Sequence, residues 1–195
     1  FEKYDIEDVN WVEEYDRENL GEMKNLYQFH KSFKKPNLGE VSLTVKHYCA
    51  LKEIVENKIE IAVIMEDNVI FMDDIKKLVN EYLEEAKNLE WDIIFEGDTH
   101  YLRYREGRIY RDKKLYKKSN KITRQCAGST RCSNFYIINL ESAKKFLNAF
   151  TPFHTVCDHW SNHLFRKLNF NVYWVEPPKV HRIMSHNRVA ETGKN

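Results

Sequence analysis

The stretch Ile59-Glu60-Ile61-Ala62-Val63-Ile64-Met65-Glu66-Asp67-Asn68-Val69-Ile70-Phe71 decides how this chain is read. Ile59 to Met65 is apolar except at Glu60, and its length suits a buried strand of a parallel sheet. The run stops at three oxygen-bearing side chains, Glu66, Asp67 and Asn68, before apolar residues resume. Such a strand end places its oxygens at the carboxyl edge of the sheet, where open α/β folds bind ligands. Carboxylate and amide oxygens suit hard cations such as magnesium or manganese. An acidic turn without a ligand fits these residues equally well.

The flanking sequence repeats the alternation of strand and helix. Upstream, Glu40 to Asn57 has helical period, with Leu43, His47, Leu51, Ile54 and Val55 on one face. Downstream, Asp73-Asp74 signals a helix start for Ile75 to Leu89. Trp91 to Phe95 reads as a buried strand ending at Glu96-Gly97-Asp98, and Asn134 to Asn139 as another. Ser142 to Phe150 is predicted helical, closed by Thr151-Pro152, and Cys157 to Leu168 is a further helix. Asn171 to Val175 is the last predicted strand, running into Glu176-Pro177-Pro178, with His181 in the loop beyond. Phe1 to Asp8 reads as a short strand, residues 11 to 36 as a surface excursion with one short helix, and Glu106-Gly107 as a hairpin turn. The pattern is that of a single α/β domain over residues 1–195.

Composition excludes several classes. The chain has 195 residues, 42% of them hydrophobic, enough for a sizeable core and too many for wholesale disorder. Six Gly and four Pro are few for a turn-rich sandwich. The 31 basic residues nearly balance 30 acidic ones, which counts against a protein that coats nucleic acid. None of the four cysteines forms a C-x-x-C pair, so a reduced, disulfide-free chain is expected, with Cys49 a small buried hydrophobe. No stretch approaches the ~20 apolar residues of a membrane span. The expected location is cytoplasmic, with a secretory lumen left open by the abrupt start at Phe1.

Several residues carry alternative readings. His47 lies on the apolar face of its helix, as a core histidine or as a donor orienting the acidic turn. Asp158 stands at a helix start, where it reads as an N-cap or as a general base. Arg103 to Arg124 holds ten basic residues against two acidic, with Tyr104, Tyr110 and Tyr116 interleaved. That stretch is a solvated face or a lid over an anionic or carbohydrate acceptor, with Tyr104, Tyr110 and Arg124 as candidate contacts.

Gly39-Glu40, His47 eight residues after Gly39, and Ile61 to Val69 with its Glu66-Asp67-Asn68 turn together resemble glycosyltransferase family 25. Trp91-Asp92-Ile93-Ile94 with Gly97, the stretch Cys132 to Lys145, Asp158, and Pro177 to His181 extend the likeness from about Gly39 to His181. The resemblance implies a GT-A-type, Rossmann-like mixed sheet flanked by helices. It also implies inverting transfer of galactose or glucose from a UDP-sugar to a hydroxyl of a glycan or hydroxylysine-type protein acceptor. Under it, Glu66, Asp67 and Asn68 hold a manganese or magnesium ion and the diphosphate, with His181 as a candidate third ligand. Asp158 is then the base, and Asp98 touches donor or acceptor. Two departures stand out. Asn68 replaces a third carboxylate, and Phe1 enters at the family's second strand, as in a fragment or a divergent member. Two rival expectations remain: a catalytically impaired relative that binds sugar or protein, and a nucleic-acid-binding domain using residues 103 to 124.

Overall fold

The computed structural model describes residues 2–4, 6–28, 36–97, 110–117 and 133–183, with backbone only at 2 and 160–163. A five-stranded mixed sheet is built from β1 (Ile61–Met65), β3 (Ile93–Phe95), β4 (Leu115–Lys117), β5 (Phe135–Asn139) and β6 (Val172–Val175), in the order β1-β5-β3-β6-β4. A separate ribbon pairs β2 (Val69–Phe71) with β7 (Val180–Arg182). Strand β5 runs antiparallel to both β1 and β3, and β3 runs parallel to β6. Strands β1, β3 and β6 therefore share one direction. Their carboxyl ends deliver Glu66, Glu96 and Glu176 to the same edge of the sheet.

Alternate side chains of the central strands feed opposite cores, because successive residues point to opposite faces. Ile93, Phe95, Tyr136, Ile138, Val172 and Trp174 belong to one cluster, with Val45 and Leu51 of α1 (Leu38–Glu56), Phe146 and Phe150 of α3 (Leu140–Phe150), and Phe165 of α4 (Trp160–Lys167). Ile94, Phe135, Ile137, Tyr173 and Val175 belong to the other, with Ile75, Leu78 and Tyr82 of α2 (Ile75–Ala86). Apolar residues on both faces explain why these strands read as unbroken hydrophobic runs.

The helices start where their caps require. Asn37 accepts from Glu40 N while Glu40 accepts from Asn37 N, a complete capping box for α1. Asp74 caps α2 by accepting from Lys77 N, and Asn139 caps α3 by accepting from Ser142 N. Residues 6–16 run without helix or strand, so the strand expected over Phe1 to Asp8 is replaced by a 3-10 turn at Glu2–Tyr4 and, from residue 6, irregular chain. This segment is fastened to α1: Ser42 Oγ donates to Tyr15 O at 2.7 Å, and Lys46 pairs with Asp16 at 2.7 Å. The short helix expected in the excursion is a 3-10 helix at Gly21–Leu26.

Strand β1 also departs from expectation. It is an edge strand, paired antiparallel with β5, and its residues range from exposed Ile61 to buried Ile64. An apolar run reports burial of side chains against neighbours, and on β1 only Ile64 is fully buried. The hairpin expected at Glu106-Gly107 lies outside the described residues. Cys49 and Cys157 are free thiols, Cys49 half-buried and Cys157 buried. Among the described residues no helix is long and apolar enough to cross a membrane.

Candidate functional site

The sheet edge at β1 opens into a cleft of about 1790 Å³ between residues 6–13, α1, β1 and the start of α2. Glu66 and Asp67 line it, and so does His47. Glu66 leaves β1 with its backbone fixed, since Glu66 N donates to Asn134 O at 2.9 Å. Its side chain is 8% exposed. Ser133 Oγ donates to Glu66 Oε1 at 3.3 Å, and Arg182 Nη2 lies 3.8 Å from Oε2. Burial is the main force raising the Glu66 carboxyl above its ordinary range. Arg182 opposes that rise, and the charges of Asp158 and Asp67 add to it. Asp158 thus stands close enough for its charge to be felt at Glu66, although 92 residues separate the two in sequence.

Asp158 sits half-buried in a 3-10 turn, Cys157–His159. That turn displaces the start of α4, whose cap residue is His159 with no side-chain cap bond. The N-cap position therefore falls to His159, one residue after Asp158. Behind it, Cys157 N donates to Thr44 Oγ1 at 3.0 Å, and burial above all pushes the Cys157 thiol far up, so it remains an inert buried thiol.

His47 is buried, with Nδ1 3.1 Å from the Tyr136 hydroxyl and its ring stacked on Tyr136. Burial pushes its pKa down to about 3, so the imidazole is neutral. Tyr136 is held protonated, by burial first and then by the neighbouring Cys157 and Glu66. His47 is thus a core histidine held against Tyr136.

His181 lies on β7, opposite Ile70, and not in a loop. Its neighbour Arg182 reaches Glu66, so alternation along the strand sends His181 to the other face of the ribbon. Among the described residues no three of His, Cys, Asp or Glu gather to hold a metal ion. The oxygen chemistry of the turn nevertheless fits a hard cation. Asn68 Oδ1, on the residue that follows Glu66 and Asp67 in sequence, is buried without a hydrogen-bond partner among the described residues. Magnesium-like ions are commonly held by one or two carboxylates, with substrate phosphates and water completing the shell. A two-carboxylate corner with an orphaned amide oxygen suits that use.

Of the acceptor candidates, Tyr110 is exposed, its N donating to the Tyr116 hydroxyl at 2.7 Å. Tyr116 itself is buried on β4. Lys114 pairs with Glu81, and Glu85 accepts from Lys114 N and Leu115 N, so the described part of the basic stretch is docked on α2. Asp98, Tyr104 and Arg124 lie outside the described residues.

The sequence profile of Glycosyltransferase family 25 (LPS biosynthesis protein) matches residues 5–161. The chain belongs to glycosyltransferase family 25. The match takes in the Glu66 turn and Asp158, and it begins well before Gly39, so residues 5 to 38 are part of this glycosyltransferase's family likeness. Pro177 to His181 lies beyond it. No curated protein matches the chain by sequence. Sequence reading missed Ser133, Tyr136 and Arg182. Ser133 and Tyr136 belong to β5 or its approach, and their nearness to Glu66 follows from the β1–β5 register, in which Ile64 faces Tyr136.

Proposed function

We propose that this family member moves a hexose, galactose or glucose, from a UDP-sugar to an acceptor hydroxyl with inversion, on a GT-A-type sheet edge. The acceptor is a glycan or a hydroxylysine-type protein. The observation that carries this reading is the placing of Glu66 and Asp67 on an open cleft at the carboxyl end of β1, with the charge of Asp158 felt at Glu66. Glu66, Asp67 and Asn68 would hold manganese or magnesium. When bound, such an ion offsets the charge of the donor's diphosphate.

The chain's own residues account for the rest. Asp158 takes the proton of the acceptor hydroxyl as its oxygen bonds to the anomeric carbon. The sugar–phosphate bond breaks on the opposite side, and the electron pair leaves on the nucleoside diphosphate. Ser133 keeps Glu66 in place, and His47 keeps Tyr136 in place. The cleft walls hold donor and acceptor at close range, which converts a bimolecular encounter into an oriented one. His181 is left out of the ligand set because of the face it occupies.

The test is a sugar-nucleotide screen for transfer and hydrolysis, with and without manganese, on wild type, Asp67→Ala and Asp158→Asn. Asp158→Asn should lower transfer by roughly 10²- to 10⁴-fold while UDP binding persists. Asp67→Ala should weaken both. Wild-type activity that survives unchanged in both variants would sink the assignment. The amide at Asn68 and the Arg182 contact on Glu66 favour one alternative, a relative that binds the nucleotide sugar without turning it over. Manganese-dependent UDP binding with no turnover of any donor would select it.

A further inference from the structure

We infer that Arg182 is a diphosphate-binding residue, which exchanges its contact with Glu66 for the phosphate oxygens of a nucleoside diphosphate bound at the acidic turn. The inference rests on the donor reading proposed above and adds a residue that the family likeness leaves out.

Position is the first ground. Arg182 pairs with Val69, the residue that follows the acidic turn, and Ile183 N donates to Asn68 O at 2.7 Å. At the other end of β7, the carboxylate of Glu96 accepts from Lys179 N and from Val180 N. The strand carrying Arg182 is thereby held at both ends, and the guanidinium is aimed at the turn without a search.

Geometry is the second. The single Arg182 approach to Glu66 is 3.8 Å, too long for a hydrogen bond and unlike the two-pronged fork that saturates a guanidinium on a carboxylate. The Arg182 side chain is 43% exposed while that of Glu66 is 8% exposed. The guanidinium is thus solvated and held only loosely at 3.8 Å. Such a contact is easily traded for a better one.

Charge is the third. Of the charges acting on Glu66, Asp158 and Asp67 are negative and Arg182 is positive. A diphosphate approaching this corner meets repulsion from three carboxylates, and one divalent ion cannot cancel them and the ligand together. A planar, permanently charged guanidinium matches a phosphate oxygen pair.

The experiment measures UDP and uridine binding to the full chain by calorimetry, with and without manganese, for wild type, Arg182→Gln and Arg182→Lys. UDP affinity should fall tenfold or more in Arg182→Gln, in both metal conditions, while uridine affinity stays unchanged. Arg182→Lys keeps the charge beside Glu66 but loses the fork, and should lose several-fold. Should the Gln variant fail to fold by its melting curve, the Lys variant decides. Wild-type UDP affinity in the folded variants overturns the inference and leaves the donor reading standing. Absence of UDP binding by wild type overturns the donor reading and this inference with it.

Discussion

Glu96 offers a test of the structure that needs no substrate. Its carboxylate is 1% exposed and accepts from Lys179 N, from Val180 N at 2.9 Å and from the Tyr82 hydroxyl at 3.3 Å. Burial, the largest influence, lifts its pKa from 4.5 to about 7, and Glu176 alongside adds to the rise against the three hydrogen bonds. A carboxyl raised in the folded state binds its proton more tightly there than in the unfolded chain. Its contribution to stability is full below the unfolded value and declines as pH rises through the folded one. At about 1.4 kcal/mol per pH unit, the window between the two values corresponds to a loss of about 3 kcal/mol, as an upper bound.

Glu96→Gln removes that titration. It also turns one amide N–H toward a backbone donor, Lys179 N or Val180 N, at a cost of about 1–3 kcal/mol. Wild type should therefore be the more stable protein near pH 5, and its advantage should shrink or reverse by about pH 8. Urea unfolding of both proteins across that range measures it. The difference between the two curves is the quantity to follow, because other groups tilt each curve. His47, neutral with a pKa of about 3, contributes stability that is lost as pH falls below its unfolded value of 6.5, opposite in sign to Glu96. Glu66, also raised, has the same sign as Glu96. Both cancel in the difference. A difference that stays constant with pH would refute the burial argument for Glu96.

Three further outcomes are expected. Phe146→Ala, at a site fully buried among the rings of Phe150, Phe165 and Phe170, should cost about 3–5 kcal/mol in urea unfolding. Gly97→Ala should destabilise by about 1–3 kcal/mol in the same assay, since φ is +142° and the new Cβ would meet Asn134 Nδ2 at 2.9 Å. Asn68→Asp should lower the melting temperature in chelator by crowding another carboxylate beside Glu66, and should tighten manganese binding measured by calorimetry.

Much of this architecture was legible because its signals are local. The capping box at Asn37 and Glu40 and the cap at Asp74 start α1 and α2 close to where the sequence points. The alternation of apolar runs with helical period gives the α/β class. Strand order and direction were not legible, because an apolar run records what its side chains bury against and says nothing of which backbone lies beside it. That is why β1 emerges as an antiparallel edge. Strands β4 and β7 have three residues each, too short to display a period. In the site, the acidic turn was visible as a motif, but its partners were not. Arg182 and Ser133 reach Glu66 across 116 and 67 positions of sequence, and no spacing rule connects them.

The same sheet edge shows why one acidic strand end reads as a ligand site and another does not. In sequence, Glu66-Asp67-Asn68 and Glu96-Gly97-Asp98 look alike, each an acid following a hydrophobic strand. Glu96 gives its oxygens to two backbone N–H groups of the segment that begins β7. Those donors are fixed by the fold, so displacing them would dismantle the ribbon, and Glu96 is committed to construction. The Glu66 oxygens meet a serine hydroxyl and a guanidinium, both on side chains that can turn away. Its backbone is anchored while its carboxylate remains exchangeable, and it borders the cleft. A carboxylate can serve a ligand when its present partners can leave without unfolding the strand that carries it. By that criterion Glu66 qualifies at this edge and Glu96 does not.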